Sequence, residues 1–149
     1  MMLPDPMGGA RYQAILSKAE MTLGAVTVRA VLPPMPKPLK TASGQLSHAP
    51  VLLVDLETSA GVTGVSYLFS PRPDMLKPLM ETVLALAAAA RGMRCDPVAV
   101  SAHFDRYFLI FGGTGIVTMA RAALDMAMWD ALAKQHGAPL FRLLGDSDG

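Results

Sequence analysis

The chain has 149 residues, 52% of them hydrophobic and 17% charged, with a formal net charge of +1. That length suits one domain with a real core. It falls well short of the roughly 250 residues of a complete (β/α)₈ barrel, and the charge balance offers no basic footprint for nucleic acid. A single cysteine, Cys95, excludes a disulfide scaffold and suits a reducing compartment.

Residues 1–20 carry Pro4, Asp5, Pro6, Gly8 and Gly9 where a signal peptide would need an apolar stretch. They show no sustained period and are expected to be a flexible N-terminal extension, with the domain proper at 21–149. A cytoplasmic location follows as the expectation. Residues 22–32 are rich in β-branched side chains and end at Pro33 and Pro34, which predicts a strand. The next stretch, 35–50, mixes Pro, Lys, Gly, Ser and His and reads as a long loop, a type that is usually functional or disordered. Residues 51–58 alternate, with Leu52, Val54 and Leu56 on one face and Asp55 and Glu57 on the other. A turn at Ser59, Ala60 and Gly61 leads to a strand at 62–69, completing an antiparallel hairpin.

Past the turn signal Ser70-Pro71-Arg72-Pro73, the period becomes helical. Residues 75–91 are dense in Leu, Met and Ala, with Pro78 in the first turn. The apolar run at 83–90 stops at Arg91, far short of the ~20 residues that span a membrane. Asp96-Pro97 starts a second helix, through about residue 108. A glycine loop at 112–115 leads into the longest helix, 116–136, which stops at Gly137 and Pro139, and a short turn follows at 140–144. Strands followed by helices mean an α+β fold: a three-stranded antiparallel sheet and about three helices.

The long helix is apolar on most sides, so it should be buried on most sides. Three strands cover only one face, and the mean hydropathy of +0.36 points the same way: something else should cover another.

Few groupings could carry chemistry. Gly113-x-Gly115 faintly resembles a dinucleotide loop, but no strand is expected after the helix it precedes, so a flexible helix start with Thr114 as N-cap is the expectation. His48, His103 and His136 share no ligand spacing and read as surface histidines. Cys95 has no activator and reads as inert. Asp130 and Lys134, four apart with the acid first, read as a helix ion pair. No catalytic residue and no metal ligand emerges.

Two stretches carry a resemblance. Ala120, Arg121, Leu124, Asp125, Met128, Trp129, Asp130 and Lys134, followed by Pro139-Leu140 and Leu143-Leu144-Gly145, resemble the signature of the mandelate racemase/muconate lactonizing group of the enolase superfamily. The run at 49–69 is similar to the mandelate racemase branch of that group. The resemblance covers about residues 21–145. It implies an N-terminal capping domain of the enolase type, whose usual partner, a TIM-like barrel, is absent. The family abstracts a proton alpha to a carboxylate with magnesium, using groups on the barrel. Hence no catalytic residue, metal ligand or cofactor is carried over to this chain, and Mg²⁺ is implied only for a full-length enzyme, a racemase or dehydratase of a 2-hydroxy acid.

By the same resemblance, residues 38–46 are a lid loop, with Leu39, Thr41 and Leu46 facing the substrate, and Tyr67 belongs to a second specificity loop. Lys40 and Ser43 depart from a mandelate-type loop, which leaves acid sugars and other hydroxy acids open. The implied partners are the barrel, a small hydroxy acid and further copies of the chain in a homo-oligomer, with no nucleic acid and no membrane. The expectation is a lid domain, inactive alone. The alternatives are a free-standing, non-catalytic interaction module and one half of a split enzyme.

Overall fold

The computed structural model describes residues 9–42, 44–110 and 112–145. In chain order the elements are α1 (Gly9–Ser17), β1 (Leu23–Val31), β2 (Pro34–Thr41), β3 (Gly44–His48), β4 (Val51–Thr58), β5 (Thr63–Phe69), α2 (Leu76–Ala90), α3 (Pro97–Tyr107), α4 (Ile116–Gln135) and α5 (Leu140–Leu144), with a 3₁₀ turn at Pro73–Met75 before α2. The predicted three-stranded antiparallel sheet is present in the order β1-β4-β5, and the α+β class holds.

Alternation along β4 gives the sheet two unlike faces. Leu52, Val54 and Leu56 are buried against the helices together with Leu68 of β5. The opposite face presents the cross-strand rows Thr27–Asp55–Val65, Arg29–Leu53–Tyr67 and Val31–Val51–Phe69. Arg29 reaches diagonally to Asp55 at 2.7 Å on that outward face.

The long helix α4 lies across the inner face and the edge of β5. Its approach is close enough that a Cβ on Gly64 would fall 2.0 Å from the Ala127 carbonyl oxygen. The Ser66 hydroxyl donates to the Ala123 carbonyl at 2.7 Å. Asp130 and Lys134 form the expected pair at 2.7 Å, and it does more than steady the helix. The Asp130 carboxylate accepts from the Val65 amide at 2.7 Å, and the Lys134 ammonium donates to the Thr63 carbonyl at 2.9 Å. Two backbone groups on the open edge of β5 are thereby satisfied.

Three expectations change. First, residues 9–20 are not outside the fold. Helix α1 buries Tyr12, Ile15 and Leu16, and Ala19 follows it into the core. The Tyr12 ring lies against Trp129 at 6.0 Å, and its hydroxyl donates to Asp96 at 2.5 Å while accepting from the Val98 amide. Asp96 also caps α3 by accepting from the Ala99 amide at 3.0 Å, so one tyrosine joins α1 to the start of α3. Burial and the carboxylate neighbour push the Tyr12 hydroxyl well above the ordinary tyrosine range. Residues 1–8 lie outside the described residues.

Second, the remaining faces of α4 are covered by this chain itself. α1, α2 and α3 pack on it, and what stays exposed is a strip of Thr118, Ala122 and Met126 and the last turn at Lys134 and Gln135. Third, the stretch at 35–50 is not a loop but the ribbon β2–β3. The surplus apolar surface lies on the outward sheet face and after α3, where Leu109 and Ile110 are 82% and 91% exposed.

Two polar groups inside the helical layer are uneasy. Cys95 is buried, and desolvation, with the Asp96 charge adding to it, pushes its thiol up to about 12. Asp125, on the α4 face near Tyr12, has no hydrogen bond or ion pair among the described residues, and burial raises its carboxyl above the ordinary 3.8.

Three outcomes follow from this packing. Gly64→Ala should destabilise the fold by at least ~2 kcal/mol, because backbone rather than a flexible side chain must move; thermal unfolding reads this directly. Cys95 should resist alkylation at least ~100-fold more in the native chain than in the unfolded one. Its unfolded thiol ionises near 9.0 and its folded thiol near about 12, so its stabilising contribution is present below pH 9 and is lost as pH rises toward 12. Asp125→Asn removes a poorly solvated charge, so it should raise the midpoint by about 2 °C at neutral pH, and the gain should vanish below the ordinary carboxyl value of 3.8.

Candidate functional site

The ribbon β2–β3 is an outgrowth of the β1–β4 ladder. Val31 pairs with Val51, and three residues further along each strand Pro34 pairs with His48, so the ladder resumes in the same register beyond a proline interruption. Pro33, Pro34 and Pro50 stand at that junction, held by the Ala49 amide donating to the Pro33 carbonyl at 2.9 Å and the Ser70 amide donating to the Pro50 carbonyl at 2.8 Å. Proline removes donors and fixes φ, so the ladder breaks there without the strands parting. Between Pro34 and Leu39 the register slips: four residues, Met35 to Pro38, oppose Ser47 alone. Pro36 and Pro38 have no amide to offer, which makes a bulge the natural outcome. Beyond it Leu39 pairs with Leu46, Lys40 with Gln45 and Thr41 with Gly44.

This arrangement collects three of the four residues expected to meet substrate. Leu39 and Leu46 face each other across the ribbon, and Thr41, two residues on, shares their face. Leu39 is 44% exposed and Leu46 half-buried, so the face is apolar and accessible. The Thr41 hydroxyl donates to the Gly44 carbonyl at 2.8 Å, which leaves its oxygen free to accept. Lys40 lies on the opposite face with Gln45, and Ser43 lies outside the described residues. Tyr67 is separate. It stands on the outward sheet face beside Leu53, 67% exposed, one row in from the base of the ribbon.

The other groupings carry no reaction chemistry. The glycine loop before α4 has Gly112 and Gly115 at φ of 76° and 62°, conformations that favour glycine. Gly115, not Thr114, is the N-cap, because the chain turns into the helix at that left-handed residue; Thr118 instead donates its hydroxyl to the Gly113 carbonyl. Two of the three histidines are not surface groups. The His136 ring donates from Nε2 to the Ile15 carbonyl at 2.9 Å, fastening α1 to the end of α4. The His103 ring lies between Phe104 and Tyr107, with Nε2 buried and unpartnered. Their spacing in sequence gave no hint of either role. Arg121 joins α3 to α4 through Asp105 at 2.7 Å and Ser101. Among the described residues no group of three or more His, Cys, Asp or Glu could hold a metal ion, and no helix is long and apolar enough to cross a membrane.

A shallow apolar depression of about 190 Å³ lies between the turn after β5 and the start of α4, lined by Met75, Leu79, Ile116 and Met119 among others. It offers few polar groups to orient a ligand.

Comparison with known proteins agrees with this architecture. An enolase from Bradyrhizobium, in complex with magnesium and mandelic acid, superposes with a TM-score of 0.81 and 40% identity over 87% of this chain and 36% of its own. D-gluconate dehydratase from Thermoproteus tenax is 34% identical over 97 residues, which is 63% of this chain and 19% of the relative. Hydrophobic dipeptide epimerase from Roseobacter litoralis is 61% identical over 31 residues, 21% of this chain and 9% of its own. The chain thus spans about a third or less of each of these relatives. Residues 24–145 match the N-terminal domain of the mandelate racemase / muconate lactonizing enzyme family, and the chain belongs to that family.

Proposed function

We propose that this chain is the lid and specificity domain of an enzyme that removes the proton alpha to the carboxylate of a 2-hydroxy acid, racemising or dehydrating it. Leu39, Thr41, Leu46 and Tyr67 are its substrate-facing residues. The observation that carries this reading is the ribbon itself: a proline-jointed arm, standing off the sheet, with an accessible Leu39–Leu46 pair and Thr41 on one face.

Such an arm suits a lid. Closing an apolar face over bound substrate excludes water and strengthens the electrostatic interactions beneath it. The leucines pack on whatever group the substrate carries beside its carboxylate, Thr41 accepts a hydrogen bond from a substrate hydroxyl, and the Tyr67 hydroxyl orients a polar end. This chain supplies no acid, base or nucleophile for the reaction itself. In this reading they belong to a barrel joined to this domain or carried on a separate chain.

Magnesium belongs to the same reading. In this reading its site lies on the barrel; the described residues hold no group of three or more His, Cys, Asp or Glu that fits it. The buried thiol of Cys95 suits a reducing cytoplasm.

The test is α-proton exchange in D₂O with the domain joined to its barrel, using mandelate and aldonic acids as substrates. Exchange should occur with one class, and Leu46→Asp should lower kcat/KM ~10–100-fold while leaving the fold intact. Exchange indifferent to substitution at all four positions, or absent with every 2-hydroxy acid, overturns the assignment.

A further inference from the structure

We propose that the open edge of β1, from Val26 to Ala30, is a dimerisation surface that pairs with β1 of a second copy, antiparallel and centred on Val28. The hydrogen-bond alternation identifies that edge. On β4 the even-numbered residues bond toward β5, as the end pairs show: the Thr58 amide donates to the Val62 carbonyl and the Ser70 amide to the Pro50 carbonyl. The odd residues Val51, Leu53 and Asp55 therefore bond to their β1 partners Val31, Arg29 and Thr27. Val26, Val28 and Ala30 must then aim their amides and carbonyls away from the sheet.

Nothing among the described residues meets these groups. Lower on the same edge the chain supplies its own cover: the Leu23 amide donates to Met93 at 2.9 Å, the Gly92 amide to Leu23 at 2.8 Å and the Cys95 amide to Met21 at 2.8 Å. On the far side of the sheet, Asp130 and Lys134 hold the edge of β5. The stretch 26–30 lacks any such device and any proline, lysine or acidic residue, although Thr27, Arg29 and Ala30 are exposed. An unprotected, β-branched edge is a template for another strand.

The sequence of the edge complements itself, which favours a second copy over a foreign strand. A twofold axis at Val28 sets it against Val28 of the partner subunit, and Val26 against Ala30 of the partner subunit, both pairs on the core side. Thr27 then meets Arg29 of the partner subunit on the outward side. No like charges oppose, and each Arg29 stays beside its own Asp55. Such an isologous contact closes on itself and gives one six-stranded sheet.

The test uses the whole chain in sedimentation equilibrium and amide exchange. A dimer should form, with the amides of Val26, Val28 and Ala30 protected only as concentration rises and those of Thr27 and Arg29 protected throughout. Val28→Pro removes an outward donor and leaves the β1–β4 bonds, so it should weaken the dimer more than ~10-fold with the fold retained by circular dichroism. Two charge variants guard against simple misfolding. Thr27→Lys meets Arg29 of the partner subunit and should weaken association ~5-fold, although it sits opposite its own Asp55 and should steady the monomer; Thr27→Glu should do the reverse. A chain that stays monomeric, a dimer indifferent to these substitutions, or even-residue amides protected at high dilution or by an unrelated peptide alone, each overturns the proposal.

Discussion

Everything in this domain leans on the seat of α4 against β5. Gly64 lets the helix backbone approach a strand backbone, Ser66 ties to the Ala123 carbonyl, and the Asp130–Lys134 pair takes up edge groups that would otherwise face water or a second strand. These contacts fix the direction of α4. That direction in turn decides where α2 and α3 can lie and where Trp129 and His136 wait for α1. The ion pair is partly exposed, so its Coulomb energy is modest. Its value is in the two backbone groups it satisfies, since orphaned groups there are costly and invite wrong pairing.

The sheet is thus guarded on one margin and open on parts of the rest. Its inner face is closed by helices, its outward face carries Val65, Tyr67 and Phe69, and its long strands run on into the ribbon. The proposed substrate-facing residues all lie on the unguarded side. At the proline junction register is kept while backbone bonds are thinned, an attachment that suits the lid role proposed for the ribbon. The core strands β1 and β4 and the ribbon β2–β3 thus share one continuous register across the proline junction.

Most of this architecture was legible in the sequence. Leu52, Val54 and Leu56 alternate so cleanly that β4 is bounded to the residue, and the three main helices announce themselves through Asp96-Pro97, Gly137 and their Leu–Ala–Met composition. Helix α1 was missed although Tyr12, Ile15, Leu16 and Ala19 follow a helical stripe; the prolines and glycines just before it overrode that short signal. The ribbon was missed because five of its residues and neighbours are prolines, which read as loop wherever the partner strand is unknown. The four residues proposed to face substrate came from family resemblance alone. Alternation then explains why Leu39, Thr41 and Leu46 go together while Lys40 does not. The roles of His103, His136 and Asp125 depend on neighbours far away in sequence, so no local pattern could reveal them.

The anchoring of α1 bears on how the chain is made. Tyr12 meets Asp96 across 84 positions, and Ile15 meets His136 across 121. At a synthesis rate of roughly 5–20 residues per second, the first helix leaves the ribosome about 5–25 seconds before its last partner exists. Nine residues are too few to hold a helix in water unaided. Helix α1 is therefore among the last elements to fold although it is made before its partners, and its arrival is the step that covers Trp129 and the end of α4.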